Sequence, residues 1–114
     1  MMKNAYETVT SCGGNITRCG YAYLASAAEI VARRGDYPHG KLGREVYAQV
    51  AAIHGSEKKR VSRDLARAVE DIWLHGDREM LETILRHKAV TKPSPGEMIL
   101  ALAIFIADGE KTII

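Results

Sequence analysis

Between residues 42 and 72 the apolar side chains recur at helical spacing on both sides of a single glycine. Leu42, Val46, Val50 and Ile53 precede Gly55 at intervals of four, four and three. Val61, Leu65, Ala68, Val69 and Ile72 follow it at intervals of four, three, one and three. Each set lines one side of a helix. Glycine between them can take the left-handed backbone that turns the chain sharply. A helical period runs through nearly all of the remaining chain, with no convincing period-2 alternation and no Asn-Gly hairpin signal. The expected class is therefore all-α.

Punctuation residues divide the chain into about six helices. A first helix is predicted over about 4–12, stopped by Gly13-Gly14. Asn15 can cap a second that runs to about Arg34, with Tyr21, Leu24, Ala28 and Val31 on one face. Arg33 and Arg34 stand at its C-terminal end, where the helix dipole favours positive charge. Residues 35–40 form a turn-rich loop. A third helix is expected from about Lys41 to Ile53, broken by His54-Gly55. Ser56 is the expected cap of a fourth, with Glu57 in its first turn and His75-Gly76 at its end. Asp77 caps a short fifth helix, about Arg78 to Leu85. Ser94, Pro95 and Glu97 then form a capping box for the last helix. Met98 to Ala107 are apolar all round, so that helix is either deeply buried or shares a face with another protein.

Length and composition narrow the function. With 114 residues the chain has enough surface to bury for one core, so residues 1–114 are expected to form a single domain. No apolar run approaches the roughly 20 residues that span a bilayer. The first ten residues lack the apolar core of a secretion signal, which favours a cytoplasmic location. Cys12 and Cys19 then read as reduced thiols, and Cys12 as a small buried hydrophobe. His39, His54, His75 and His87 are scattered, and none pairs with a cysteine at a metal-ligand spacing, so no metal is expected. Cys12 beside Gly13-Gly14 makes no nucleophile elbow, and no Gly-Lys-Ser/Thr phosphate loop occurs, so neither an enzyme nor a cofactor is expected. Tyr21, Tyr23 and Trp73 are more simply core than stacking surfaces. His54 reads as a helix-end residue.

Charge points elsewhere. The net charge is only +2, but residues 41–67 hold seven basic side chains against three acidic, whereas residues 68–114 hold five against eight. A positive middle suits an anionic partner. Residues 42–72 have the form of a helix-turn-helix: Ala51 is small where the helices would touch, Gly55 makes the turn, and Val61 faces inward. Asp64 departs from the apolar residue expected near there, a role Leu65 can take. Lys59, Arg60, Arg63 and Arg67 fall away from the apolar stripe, in the first half of the second helix. That half enters the major groove in such motifs, where arginine can bond guanine edges and lysine can neutralise phosphate. Asp64, Glu70 and Asp71 place acidic charge nearer the other end. The pattern alone also admits a plain structural helix pair with a solvated basic face, or a protein-binding surface.

Several separated motifs carry a family resemblance. Gly20-Tyr21-Ala22-Tyr23-Leu24 resembles a GYxYL motif at the start of a long helix, with Cys12-Gly13 before it. Lys59-Arg60-Val61-Ser62-Arg63, with Ala68-Val69-Glu70-Asp71-Ile72-Trp73 and Gly76, resembles SRVERA…AIEVAW..G. Lys92-Pro93-Ser94-Pro95-Gly96-Glu97-Met98-Ile99 resembles KPTNSEFI. These belong to the C-terminal DNA-binding effector domain of the stage 0 sporulation protein A family, and the likeness spans about residues 8–105. It implies six helices with a central helix-turn-helix and a recognition helix over 56–75. It implies that Arg60 and Arg63 read bases, with Ser62 where the family has a base-reading glutamate. A carboxylate accepts from cytosine, whereas serine is permissive, so the target sequence is expected to differ. Lys58, Lys59 and Arg67, helped by Lys41 or Arg44, are the expected phosphate contacts. The resemblance also implies self-association through the last helix, Met98–Ile106, on tandem sites. The family's receiver domain is not in this sequence, so control by its phosphorylation is expected to be absent unless a separate protein supplies it. The rival expectation is a protein-interaction module that keeps the fold without specific DNA binding.

Overall fold

The computed structural model describes residues 5–13, 19–35 and 45–111 of the protein, the side chains of 109–111 excepted. These residues form six helices and no strand: α1 (Ala5–Ser11), α2 (Cys19–Arg34), α3 (Tyr47–His54), α4 (Lys58–His75), α5 (Arg78–Leu85) and α6 (Pro95–Lys111). The all-α expectation holds. The proposed Asn15 cap, the start of the third helix at Lys41, and most of the 35–40 loop lie outside the described residues.

α2 occupies the centre and packs against α1, α3, α4 and α6. Its sequence suits that position, because Ala25, Ala27 and Ala28 bury alongside Tyr21, Tyr23, Leu24 and Val31. Small side chains let four neighbours approach one helix closely. The tightest approach is at Gly20. A Cβ there would lie 2.1 Å from the Asp64 carbonyl oxygen and 2.9 Å from the Ala68 Cβ. α2 thus crosses α4 with backbone against backbone. A second such contact holds the far end of α4. The Asp77 amide donates to the Cys12 carbonyl oxygen at 3.3 Å, and a Cβ on Gly76 would come within 2.1 Å of that oxygen.

Between these two contacts lies a polar bond. The Tyr21 hydroxyl donates to the Asp71 carboxylate at 2.5 Å, with both residues buried. Burying a carboxylate without donors costs several kcal/mol, and the Tyr21 hydroxyl supplies a donor that helps Asp71 face inward. Asp71 is therefore not part of an acidic outer end on α4, as the sequence suggested. It is a core residue. Val61, Leu65, Ala68, Val69 and Ile72 are buried as expected.

α3 departs from its predicted stripe. Val46 and Val50 are buried, but Ile53 is 64% exposed, and Leu42 is outside the described residues. Tyr47 and Ala51 supply the rest of the buried side. They rotate it away from Ile53, which falls on its edge in the last turn.

The start signals of α5 and α6 are met. Asp77 Oδ1 accepts from the Met80 amide at 3.1 Å. The Glu97 amide donates to Ser94 Oγ at 3.1 Å and the Ser94 amide to Glu97 Oε1 at 3.2 Å, a reciprocal capping box. Arg86 ends α5 in the left-handed region, with φ 66°, and its guanidinium pairs with Asp108 on α6. The apolar run of α6 divides in two. Met98, Ile99, Leu102, Ala103 and Ile106 are core, whereas Leu100, Ala101 and Phe105 are half-buried and Ile104 is exposed. Among the described residues no helix is long and apolar enough to cross a membrane.

Two consequences can be measured by urea unfolding. Gly20→Ala forces α2 off α4 and lowers stability by about 3 kcal/mol or more, whereas Gly55→Ala, which meets open space and only backbone strain, costs about 1–2 kcal/mol. Tyr21→Phe leaves the buried Asp71 short of a donor and costs about 1–3 kcal/mol. A Tyr21→Phe midpoint equal to the parent's would show that this hydroxyl does not hold the core.

Candidate nucleic-acid interface

The turn between α3 and α4 is built by Gly55. It sits at φ 62°, ψ 40°, a conformation that glycine adopts without the steric cost of a Cβ. The Ser56 amide then donates to the Ala51 carbonyl at 2.8 Å and the Gly55 amide to that of Ala52 at 3.5 Å. This is a Schellman closure of α3. It changes the expected role of Ser56. That residue belongs to the turn, and Glu57, extended at φ −105°, ψ 145°, is the N-cap of α4 with no side-chain cap bond. α4 begins at Lys58 rather than at 56, and its N-cap moves one residue, from Ser56 to Glu57, because closing α3 occupies the Ser56 backbone. Ser56 Oγ is buried and pairs with no protein atom.

The turn is braced from behind. Ala51 and Val61 are buried where the two helices meet. His54, the last residue of α3, lies 2.8 Å by Nε2 from Ser26 Oγ and stacks edge-on against Tyr23 with ring centroids 5.1 Å apart. It is a helix-end residue tied to α2. Tyr21 and Tyr23 are buried and offer no stacking platform. Trp73 is half-buried against the core, with the Arg78 guanidinium 3.8 Å over its ring. Leu65 takes the inward position that Asp64 does not fill.

The outer side of α4 carries the predicted basic residues. Lys58, Lys59, Arg60, Ser62, Arg63 and Arg67 are all exposed. Lys41 and Arg44 lie outside the described residues. Arg60, Arg63 and Arg67 form one row and keep side-chain exposures of 64%, 56% and 63%. Arg60 and Arg63, with the turn, border an open concavity of about 670 Å³, lined by Gly55, Ser56, Glu57, Lys59, Arg60 and Arg63. Ser62 and Arg63 are adjacent in sequence and diverge around the helix.

One member of this face was misplaced by sequence reasoning. Asp64 does not sit toward an acidic far end. It occupies the middle of the arginine row, 3.2 Å from Arg63 Nε, 4.0 Å from Arg60 Nε and 4.0 Å from Arg67 Nη1. Its side chain is only 19% exposed. The signal was present: positions 60, 63, 64 and 67 stand at i, i+3, i+4 and i+7, which is one helix face.

The two thiols lie apart from this surface in character. Cys19 is exposed and Cys12 buried. Burial pushes the Cys12 thiol up to about 11, against a lowering by its own backbone bond. It is un-ionised at neutral pH and a poor nucleophile. Among the described residues no three His, Cys, Asp or Glu side chains gather as a metal site.

No curated protein matches the chain. A family does: the model described as sporulation initiation factor Spo0A C terminal matches residues 5–106 of the 114. The match takes in all of α1 to α5, the helix-turn-helix and most of α6. That family is the DNA-binding domain of a sporulation regulator. An all-helical chain with a glycine-turned helix pair, a braced second helix and a match along most of its length belongs to the sporulation initiation factor Spo0A C-terminal family.

Proposed function

We propose that the protein is a sequence-specific transcriptional regulator in which residues 1–114 act as one duplex-DNA-binding domain. The N-terminal half of α4 enters the major groove. Arg60 and Arg63 read base edges, with Ser62 beside them in the groove. Lys58, Lys59 and Arg67 neutralise phosphates, with Lys41 or Arg44 adding to them from the preceding segment.

One observation carries this reading. Three arginines in a row remain largely exposed on a helix whose opposite side is locked by Gly20, Tyr21 and the α3 turn. A groove-reading helix needs that combination, because base discrimination requires donors held in fixed positions. Solvated charge for solubility alone has no such need.

A second reading is a protein-binding module. It is favoured by α6, where Ile104 is 42% exposed and stands with Leu100 between two shallow grooves, one toward Val31 and Ala32 and one toward Leu85 and Ala101. Within the DNA-binding reading, this same strip serves self-association. Met98, Ile99, Leu102, Ala103 and Ile106 are committed to the core, so a second copy would meet the strip around Leu100, Ala101, Ile104 and Phe105.

Fluorescence anisotropy with duplexes separates these readings. Affinity is expected to fall steeply with salt, by about 0.9 log units per tenfold salt for each phosphate neutralised. Arg63→Ala is expected to cost about 1–3 kcal/mol on a duplex selected from random sequence, and to blur the preference at one base pair. Equal affinity for selected and random duplexes defeats specificity. Absence of salt-dependent binding favours the protein-binding module. If α6 pairs copies on DNA, Ile104→Glu lowers cooperativity on tandem sites and leaves single-site affinity unchanged.

A further inference from the structure

Asp64 is the one acidic residue between Lys58 and Val69, and it stands inside the arginine row rather than at its margin. Its contacts are selective. It meets Arg60 and Arg63 at Nε, at 4.0 and 3.2 Å, and Arg67 at a terminal nitrogen, at 4.0 Å. A guanidinium has five donors in a fixed plane. Arg63 Nε donates to Asp64 Oδ1 at 3.2 Å, which engages one edge of that plane and keeps the two terminal nitrogens out of this bond; Arg60, at 4.0 Å, is in ion-pair contact only. Those two nitrogens are the pair that can meet guanine O6 and N7 end-on.

Fold stability gives no reason for the arrangement. Ion pairs to arginines that stay more than half exposed contribute about 0–1 kcal/mol, and the contact between Gly20 and Asp64 involves only the main-chain carbonyl group. The side chain could be neutral without disturbing the crossing. The carboxylate does act on a ligand's charge, however. It supplies a local counter-ion to three arginines, and a phosphate must compete with it for them. A base edge approached end-on need not.

We propose that Asp64 is a positioning and specificity-determining residue of the recognition helix, which orients Arg60 and Arg63 for end-on base reading and opposes indiscriminate phosphate binding by the same row. This inference rests on the DNA-binding reading above. It also gives this face a carboxylate two positions beyond Ser62, which stands where the family has its glutamate.

The test is Asp64→Asn, close in shape and uncharged, compared with Asp64→Glu, which keeps the charge. Both are titrated by fluorescence anisotropy, across a salt series, with a duplex selected from a random pool by the parent protein and with a scrambled duplex of equal length. Asp64→Asn is expected to bind the scrambled duplex about 3–10-fold more tightly, with a salt slope steeper by about 1. Its ratio of selected to scrambled affinity falls. Asp64→Glu retains most of the parent's ratio. Thermal unfolding of Asp64→Asn stays close to the parent's, which separates positioning from a role in the fold. Should Asp64→Asn match the parent on both duplexes, or lose affinity for both equally, the assignment of Asp64 is overturned while DNA binding stands. Failure of the parent itself to bind either duplex at low salt overturns the DNA reading and this inference with it.

Discussion

The absence of a side chain at residue 20 sets the geometry of everything on the basic side of α4. Because Gly20 has no Cβ, the α2 backbone closes on the Asp64 carbonyl and the Ala68 methyl of α4. That contact fixes the depth of α4. The Tyr21–Asp71 bond fixes its rotation, since only one orientation brings Asp71 inward to the hydroxyl. The Cys12 carbonyl against Gly76 and Asp77 fixes its axial position. Depth, rotation and translation are thus set by three separate contacts, all from the N-terminal helices. The basic face is a by-product of where they leave the helix.

Much of this was legible in the chain. The helix period, the αL glycine, the Asp77 cap and the Ser94–Glu97 box are local signals, and local physics decides them. Three features were not legible because in each a competing partner decides the outcome, distant in sequence for Asp71 and local for Ile53 and Ser56. Asp71 looks like surface charge until Tyr21, fifty residues earlier, supplies its donor. Ile53 fits the apolar spacing of α3, yet Tyr47 and Ala51 take the face that meets the core. Ser56 has the right chemistry for a cap, but the Schellman bond from its own amide shifts the start of α4 by one residue.

Asp64 is a different case. Its spacing from the arginines is readable, but position along the helix hides what the angle around it shows. Around the helix, positions 60, 63, 64 and 67 are neighbours. The net charge of a segment therefore says less about a partner than the order in which charges meet one another on a face. On α4 a single carboxylate touches three of the five basic side chains.

The division of labour on α4 has a consequence for how such a protein changes over generations. Val61, Leu65, Ala68, Asp71 and Ile72 are answerable to the core. Lys59, Arg60, Ser62, Arg63 and Arg67 are exposed to solvent. Substitutions in the second group leave folding nearly untouched, since surface changes away from caps and buried pairs stay within about 0.5 kcal/mol. The helix is in effect an interchangeable printed face on a fixed block. Serine at position 62 is the kind of replacement that such a block permits without repacking.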